Sequence, residues 1–259
     1  MSQSSTKNSS STTAKAPALW LPVYLALGVL GGLLGAWLLN RFEAYFPVIV
    51  PEDLKGAQGI FNPEQMARIL NEQRRAAHSN SPLALGCMGA SLAGAISLAI
   101  GASLAGVRGA VRGLVAGFIL GGLFSAAGAL VSLQALEGLK NWNTLDSMGQ
   151  PDPIKSQLHV MSHQFPTWLG IAAAIGLSVW AVVGTRGRPV QLAGAAALAA
   201  LILLLSFPLI ASMIHTTDTA GVIPQGFGNK LGWCLLGGLL LGGVVGRSVL
   251  KHSGSAPTH

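Results

Sequence analysis

The sequence predicts an all-α membrane protein with six transmembrane helices, both termini cytoplasmic, and a tightly packed bundle rich in glycine and alanine. Hydrophobic residues make up 51% of the 259 residues and charged residues only 10%, against about 25% charged in an average soluble domain. The apolar residues cluster in long runs, and the charges between those runs are unevenly distributed. A chain with so few charges could not cover the surface of a water-soluble domain.

Each apolar run has the length and composition of a membrane-spanning helix. The runs are 19–39, 84–106, 110–136, 167–184, 190–214 and 230–250. About 20 residues are needed to cross about 30 Å of hydrocarbon at a rise of about 1.5 Å per residue. No run has an ionisable side chain in its central part, where one would cost about 2.5 kcal/mol or more. We therefore predict a six-helix transmembrane domain over 19–250.

The charges between the runs predict the orientation. Eight Lys and Arg residues and no acidic residue lie in the predicted inner segments, which are 1–18, 107–112, 185–189 and 247–259. All nine acidic residues lie in the outer segments. The outer segments also hold eight Lys and Arg residues, but spread over about twice the length. The higher density of basic residues in the inner segments follows the positive-inside rule, to which acidic residues contribute little, and predicts a multi-pass protein of the plasma (bacterial inner) membrane. The net charge of +7 is then mainly a topology signal. A basic patch for anionic lipid or nucleic acid is the less favoured alternative, and no nucleic-acid partner is predicted.

The two ends of the chain are predicted to be cytoplasmic tails. Residues 1–18 are rich in Ser and Thr and poor in apolar residues, which is typical of disorder. Residues 251–259 form the second tail. A cleaved signal peptide is the alternative for the first apolar run, but that run is longer than a signal core and lacks an A-x-A site at its end.

The outer loop 41–82 contains a helix-start signal. Asn62 is placed as the N-cap, Pro63 at the first helical position, and Gln65 where it can complete a capping box. We therefore predict a short extracytoplasmic helix near 63–77. Its apolar face is expected to lie on the membrane surface or on the bundle, with docking of a partner as the alternative.

Proline residues predict further boundaries. Asp152 is a second N-cap and begins a predicted short outer helix near 153–163, which Pro166 is expected to end. Pro208 lies inside the fifth run, where its missing N–H leaves the carbonyl of Leu204 without its helical donor. We expect a kink there.

The second and third runs resemble the fourth and fifth. The stretch 106–114 parallels 184–192, and 82–86 parallels 166–170, with Pro, Gly and Arg at matching offsets. A duplicated helical hairpin would produce this pattern. The alternative is that Pro, Gly and Arg mark helix ends in any membrane protein.

Small residues recur at every fourth position in several runs. The third run carries the longest row, which consists of Gly109, Gly113, Gly117, Gly121, Ser125 and Ala129. Gly89 and Gly101 belong to a similar row in the second run, and Gly238, Gly242 and Gly246 to one in the sixth. Such rows let helix backbones approach closely, which is how membrane helices associate. Packing within one bundle, association with a second copy or another membrane protein, and a glycine-lined pore all remain open.

The candidate metal ligands lie in the outer segments. His159 and His163 are four residues apart and would share one helix face, while His215 and Asp218 follow the fifth run on the same side of the membrane. Three imidazoles and a carboxylate suit a transition metal. The alternative is that these histidines are solvated or contact lipid headgroups.

The predicted function is that of a non-enzymatic subunit or scaffold of a membrane complex. The runs offer hydroxyl groups but no buried charge, no phosphate-binding loop and no catalytic motif, so neither an enzyme nor a cofactor is predicted. The expected partners are the lipid bilayer and another membrane protein or a second copy. A channel or transporter for a small uncharged solute is the alternative. Cys87 and Cys234 are interpreted as packing residues, with a disulfide as the alternative.

Overall fold

A computed structural model describes residues 17–50, 62–139, 141–142, 144–145, 148–150, 152–184, 189–214 and 221–253. Over these ranges the protein is all-helical, with no β-strand. The helices are α1 (Pro17–Phe42), α2 (Pro63–Gly138), α3 (Pro153–Val183), α4 (Pro189–Ile214) and α5 (Phe227–Ser253). All five are long and apolar enough to cross a membrane, as a multi-pass membrane protein requires. Most of the two predicted tails, 1–16 and 254–259, lies outside the described residues.

The second and third predicted spans are joined in α2. Only Ala105 (φ −139°, ψ 17°) and Gly106 (φ 63°, ψ −154°) depart from helical geometry. A positive φ is strained for most residues but not for glycine, so Gly106 allows the chain to reverse over two residues. We call residues 63–104 the first arm and residues 107–138 the second arm. The prediction that residues 107–112 form an inner loop is therefore wrong, because these residues are helical.

The two arms pack against each other in opposite directions. A methyl group added at Gly117 would lie 2.5 Å from the carbonyl oxygen of Ala93. Gly121, which follows Gly117 by four residues, faces Gly89, which precedes Ala93 by four residues. The arms thus form the antiparallel hairpin that the sequence predicts.

Both predicted helix starts are present, at one end of the molecule that we call the capped end. The side chain of Asn62 accepts a hydrogen bond from the backbone N–H of Gln65 (2.8 Å), whose own side chain accepts one from the N–H of Asn62 (3.0 Å). The Asp152 carboxylate accepts hydrogen bonds from Ile154 (2.9 Å) and Lys155 (3.2 Å). The opposite end, which carries the reversal at Gly106, is the turn end.

Neither of the two predicted short helices is separate. The first continues through Pro82 into the first arm, and the second continues through Pro166 into the rest of α3. The prediction that Pro166 ends a helix is therefore wrong. Proline removes one backbone donor, but a helix held by neighbours on several sides can continue through it.

The first arm is almost entirely buried over residues 84–101. Its large side chains along one segment are fully buried, namely Leu85, Met88, Leu92, Ile96 and Ile100. Packed around it are α1, which approaches through Gly31, the second arm, and α3, which approaches through Ser178. The bundle continues from α3 to α4, from α4 to α5, and from α5 back to α1.

Two tryptophans join α3 to α5. Trp168 and Trp233 are fully buried, and their rings meet edge to face with centroids 5.1 Å apart and planes at 88°. Gly237 lies directly against the Trp168 ring, where a side chain would collide with it. Neither indole N–H has a hydrogen-bond acceptor among the described residues.

Candidate functional site at the capped end

The predicted row of small residues lies between the two arms. All six members, from Gly109 to Ala129, are buried, whereas the opposite side of the second arm exposes large residues such as Val111 and Ile119. Gly109 faces Gly101, and Gly113 faces the carbonyl of Ser97. The neighbour of this row is therefore the first arm of the same chain.

The row in α5 faces α1. Gly238 lies against the backbone of Gly28, and Gly242 lies against Tyr24, whose ring also covers Gly246. A methyl group at Gly242 would lie 2.5 Å from the Tyr24 carbonyl oxygen. Within the described residues, the predicted packing positions thus face other helices of this chain.

The predicted metal ligands are brought together only in part. His159 and His163 share a face of α3, with ring centroids 5.1 Å apart. His215 and Asp218 lie outside the described residues. Gln164, next to His163, donates to the carbonyl of Gly221 (2.8 Å), so α3 does meet the segment that leads into α5. In the described ranges, no group of three His, Cys, Asp or Glu side chains is close enough to hold a metal ion.

His159 instead lines a cleft at the capped end whose walls are partly polar and partly apolar. The cleft has a volume of about 530 Å³ and is lined by Arg74, Leu136, Glu137, Leu139, Trp142, Thr144, Ser156, His159 and Val160. It lies between the starts of the first arm and α3 and the end of the second arm. We call it the capped-end cleft. Its lining combines a guanidinium, a carboxylate, an imidazole, an indole and two hydroxyl groups.

Glu137 links the walls of this cleft. Its Oε1 lies 3.2 Å from Nε of Arg74 and 3.4 Å from Nε2 of His78, both on the first arm. All three side chains are partly exposed, with 38–53% of each accessible. The charges of Arg74 and Glu137 therefore remain available to a charged group that enters from solvent.

The described residues between the second arm and α3 contribute to the rim of the cleft. Lys155 donates from Nζ to the carbonyl of Leu145 (2.8 Å), and the backbone N–H of Asp152 donates to Thr144 (2.8 Å). The hydrogen bonds from the N–H groups of Lys155 and Ile154 lower the pKa of the Asp152 carboxyl, with a smaller contribution from the Lys155 charge. Trp142 is 43% exposed on this rim.

A second ion pair lies at the same end of the bundle. Lys230, in the first turn of α5, is almost fully buried and forms a short hydrogen-bonded pair with Glu43, just beyond α1. Its Nζ also lies 3.4 Å from Oδ1 of Asn40. Asn80 of the first arm fixes the chain after α1, because it accepts from the N–H of Phe46 (2.7 Å) and donates to its carbonyl (2.9 Å).

The carbonyl freed by Pro208 has a partner. Gln157 of α3 donates from Nε2 to the oxygen of Leu204, at 2.6 Å. The sequence predicted the missing helical donor but gave no sign of the group that replaces it. Helix α4 continues through Pro208 to Ile214.

The hydroxyl groups between helices pair mainly with one another. Three pairs join different helical segments: Ser97–Ser178 (2.5 Å), Ser132–Thr167 (3.1 Å) and Tyr24–Ser103 (2.7 Å). Ser91 donates to the carbonyl of Gly31 (3.1 Å). Cys87 and Cys234 are both free, so the disulfide alternative is not realised.

Sequence reasoning missed Arg74, His78, Glu137 and Trp142. Arg74 and His78 are four residues apart, and this spacing places them on one helix face. Glu137 lies 59 residues beyond His78, so only the hairpin brings it to this face. No protein-family model, curated protein or solved structure matches this chain.

Proposed function

We propose that this protein is a non-enzymatic integral membrane protein that serves as a subunit or scaffold of a membrane complex. The observation that carries the proposal is the dense packing around the first arm. A protein that conducts a solute needs an open path between its helices, whereas here fully buried Leu85, Met88 and Ile96 fill the space beside the first arm. The bundle is therefore suited to be a rigid anchor.

The same proposal includes six spans with both termini cytoplasmic, in the plasma (bacterial inner) membrane. Each arm of α2 supplies one span. The first arm of 42 residues is about 63 Å long, so about 20 residues cross the bilayer and the remainder projects beyond it at the capped end. The higher density of Lys and Arg in the predicted inner segments, which include the turn end, supports an outward-facing capped end.

We infer that the capped-end cleft is where the partner docks. Its Arg74, Glu137 and His159 offer charges of both signs and an imidazole, and Trp142 offers an exposed aromatic surface. Aromatic and arginine side chains in a partly enclosed site are typical of the anchors that dominate protein–protein interfaces. A polar segment of a second protein on the outer face fits this chemistry.

The test combines native extraction with a matched pair of variants. The tagged protein is extracted from its own membrane in mild detergent, and the mass of the complex is measured by sizing and light scattering. Arg74→Glu should dissociate a reproducible hetero-complex, because it reverses a charge inside the cleft. Arg75→Glu is the control, since Arg75 is largely exposed and its ion pair in the described part of the chain is with Glu72 of its own helix, at 3.8 Å.

Two results would refute this assignment. A wild-type protein that runs as a lone monomer would remove the subunit role. A complex that persists in both the Arg74→Glu and the Arg75→Glu variants would show that the partner does not dock in the cleft.

A transporter for a small uncharged solute is the second candidate. A cavity of about 170 Å³ between α4 and α5 lies beside Pro208 and is lined by Phe207, Ile210 and Gly232. Gly106 and Gly184 also share one backbone conformation (φ 63° and 61°, ψ −154° and −146°), which supports the duplicated hairpin. Faster flux of a small neutral solute into liposomes that contain the purified protein would favour this function over the scaffold.

A further inference from the structure

An apolar groove runs along the side of the bundle between α1 and the second arm. Its floor is the small-residue face of the first arm, at Ala90, Gly94 and Ala95. Its walls are large apolar side chains, represented by Leu30 of α1 and Ile119 of the second arm. Both are more than half exposed, and the groove has a volume of about 660 Å³. The surface is suited to hydrocarbon.

The groove has no polar group free to bind a solute on its floor. Ser91, its one hydroxyl, is buried and donates to the carbonyls of Gly31 and Met88. An occupant must therefore be apolar along the length of the groove. Any polar part of it must lie at one end.

Two arginines lie at the turn end of the groove. Arg108 and Arg112 precede Val115 and Ile119 by steps of four, three and four residues, so all four lie on one stripe of the helix. Both guanidinium groups are exposed, and neither forms an ion pair with an acidic side chain that the structure describes. Arg112 is one helical turn, about 5 Å, from the first groove residues.

We propose that this groove binds an anionic phospholipid, with an acyl chain on the apolar floor and the phosphate on Arg108 and Arg112. The spacing fits a lipid, because the chain of a phospholipid begins just below its headgroup. Arginine also matches phosphate in charge and in hydrogen-bond geometry. Basic sites beside apolar helix grooves are suited to anionic headgroups.

A second copy of the chain is disfavoured as the occupant. A symmetric pair meeting through the second arms would bring the same two arginines of each copy together at the turn end. Like charges at an interface are repulsive. A phosphate group removes that repulsion, whereas a second copy adds to it.

The test measures bound lipid by native mass spectrometry. The wild-type protein, delipidated and then mixed with equal phosphatidylglycerol and phosphatidylcholine, should retain one phosphatidylglycerol in preference. Arg108→Gln with Arg112→Gln should reduce this preference about tenfold. The control is Arg247→Gln with Lys251→Gln, which removes the same charge from exposed positions of α5 at the same end of the bundle. Its preference should stay unchanged.

A further variant separates the groove from the charges. Gly94→Leu places a side chain on the floor, where a methyl group would lie 3.5 Å from Leu114 and 3.6 Å from Phe118, both ordinary contacts. The variant should fold, keep both arginines and lose the bound lipid. An unchanged preference after loss of Arg108 and Arg112, or equal retention of both lipids, overturns the proposal. A wild-type dimer that Gly94→Leu converts to a monomer overturns it in favour of a second copy.

Discussion

At the scale of single residues, several backbone and side-chain polar groups in this bundle find partners on other elements of the chain. In hydrocarbon no water is present to satisfy a carbonyl, so an orphaned one costs free energy. Gln157 supplies the donor that Pro208 removes from Leu204. The side-chain amide of Asn80 forms hydrogen bonds with both the N–H and the carbonyl of Phe46. Such contacts fix α3 to α4 and the end of α1 to the first arm.

Gln157→Leu should therefore lower the free energy of unfolding by about 1–2 kcal/mol, because it leaves the Leu204 carbonyl without a donor. The measurement is unfolding in mixed detergent micelles. The same substitution in a Pro208→Ala background should cost much less, since the alanine N–H can then donate to Leu204. Equal costs in the two backgrounds would show that the hydrogen bond from Gln157 does not compensate for the proline.

At the scale of helices, close approach of backbones organises the bundle. The second arm presents its small residues to the first arm, and α5 presents its own to α1. Where a carbonyl lies within a few ångströms of a glycine, one added methyl group must push two helices apart. Many small dispersion contacts between the two helices are then lost together, which lowers the stability of the fold.

Gly117 and Gly122 provide a matched comparison in the second arm. A methyl group at Gly117 would lie 2.5 Å from the Ala93 carbonyl, whereas at Gly122 the nearest atom is 3.6 Å away. Gly117→Ala should lower the melting temperature strongly. Both substitutions improve helix propensity by up to about 1 kcal/mol. Gly122→Ala adds no close contact, so it should leave the melting temperature unchanged or raise it slightly. Equal melting temperatures in one detergent would contradict the packing argument.

The sequence was informative where the cause of a structure is local. The caps at Asn62 and Asp152, the apolar helices and the rows of small residues all follow from residue type and spacing. The continuation of helices through Pro82 and Pro166 could not be predicted, because neighbours distant in sequence stabilise it. The joining of two predicted spans into α2 was missed for another reason. A reversal that needs only Ala105 and Gly106 looks like an ordinary small-residue stretch.

The capped-end cleft shows the same limit. The spacing of Arg74 and His78 indicates a polar helix face, but Glu137 can contact them only once the hairpin has formed. Lys230 and Glu43 are separated by 187 residues. An ion pair of that kind depends on α5 packing against α1, and hydrophobic periodicity does not specify which helices become neighbours.

At the scale of the whole molecule, charge divides the two ends. The capped end holds the described ion pairs of Glu43, Glu72, Glu137 and Asp152. The turn end carries Arg108, Arg112 and Arg247. The capped-end cleft and the two arginines beside the apolar groove therefore lie at opposite ends of the bundle.

Labelling of single cysteines tests the proposed orientation. In a background without Cys87 and Cys234, Arg75→Cys should react with a membrane-impermeant thiol reagent in intact cells. Lys251→Cys should react only after the membrane is permeabilised. Both positions are exposed in the structure, so accessibility depends on the side of the membrane. The reverse pattern would place the capped end in the cytoplasm.

The contact of Trp168 with Trp233 gives the molecule an optical reporter. Two indoles held edge to face at a centroid distance of 5.1 Å couple their electronic transitions, and such coupling produces a paired positive and negative band in circular dichroism. Because one ring belongs to α3 and the other to α5, the bands depend on the separation of these two helices. Loss of the paired bands with helix content unchanged would reveal an opened bundle whose individual helices are still intact.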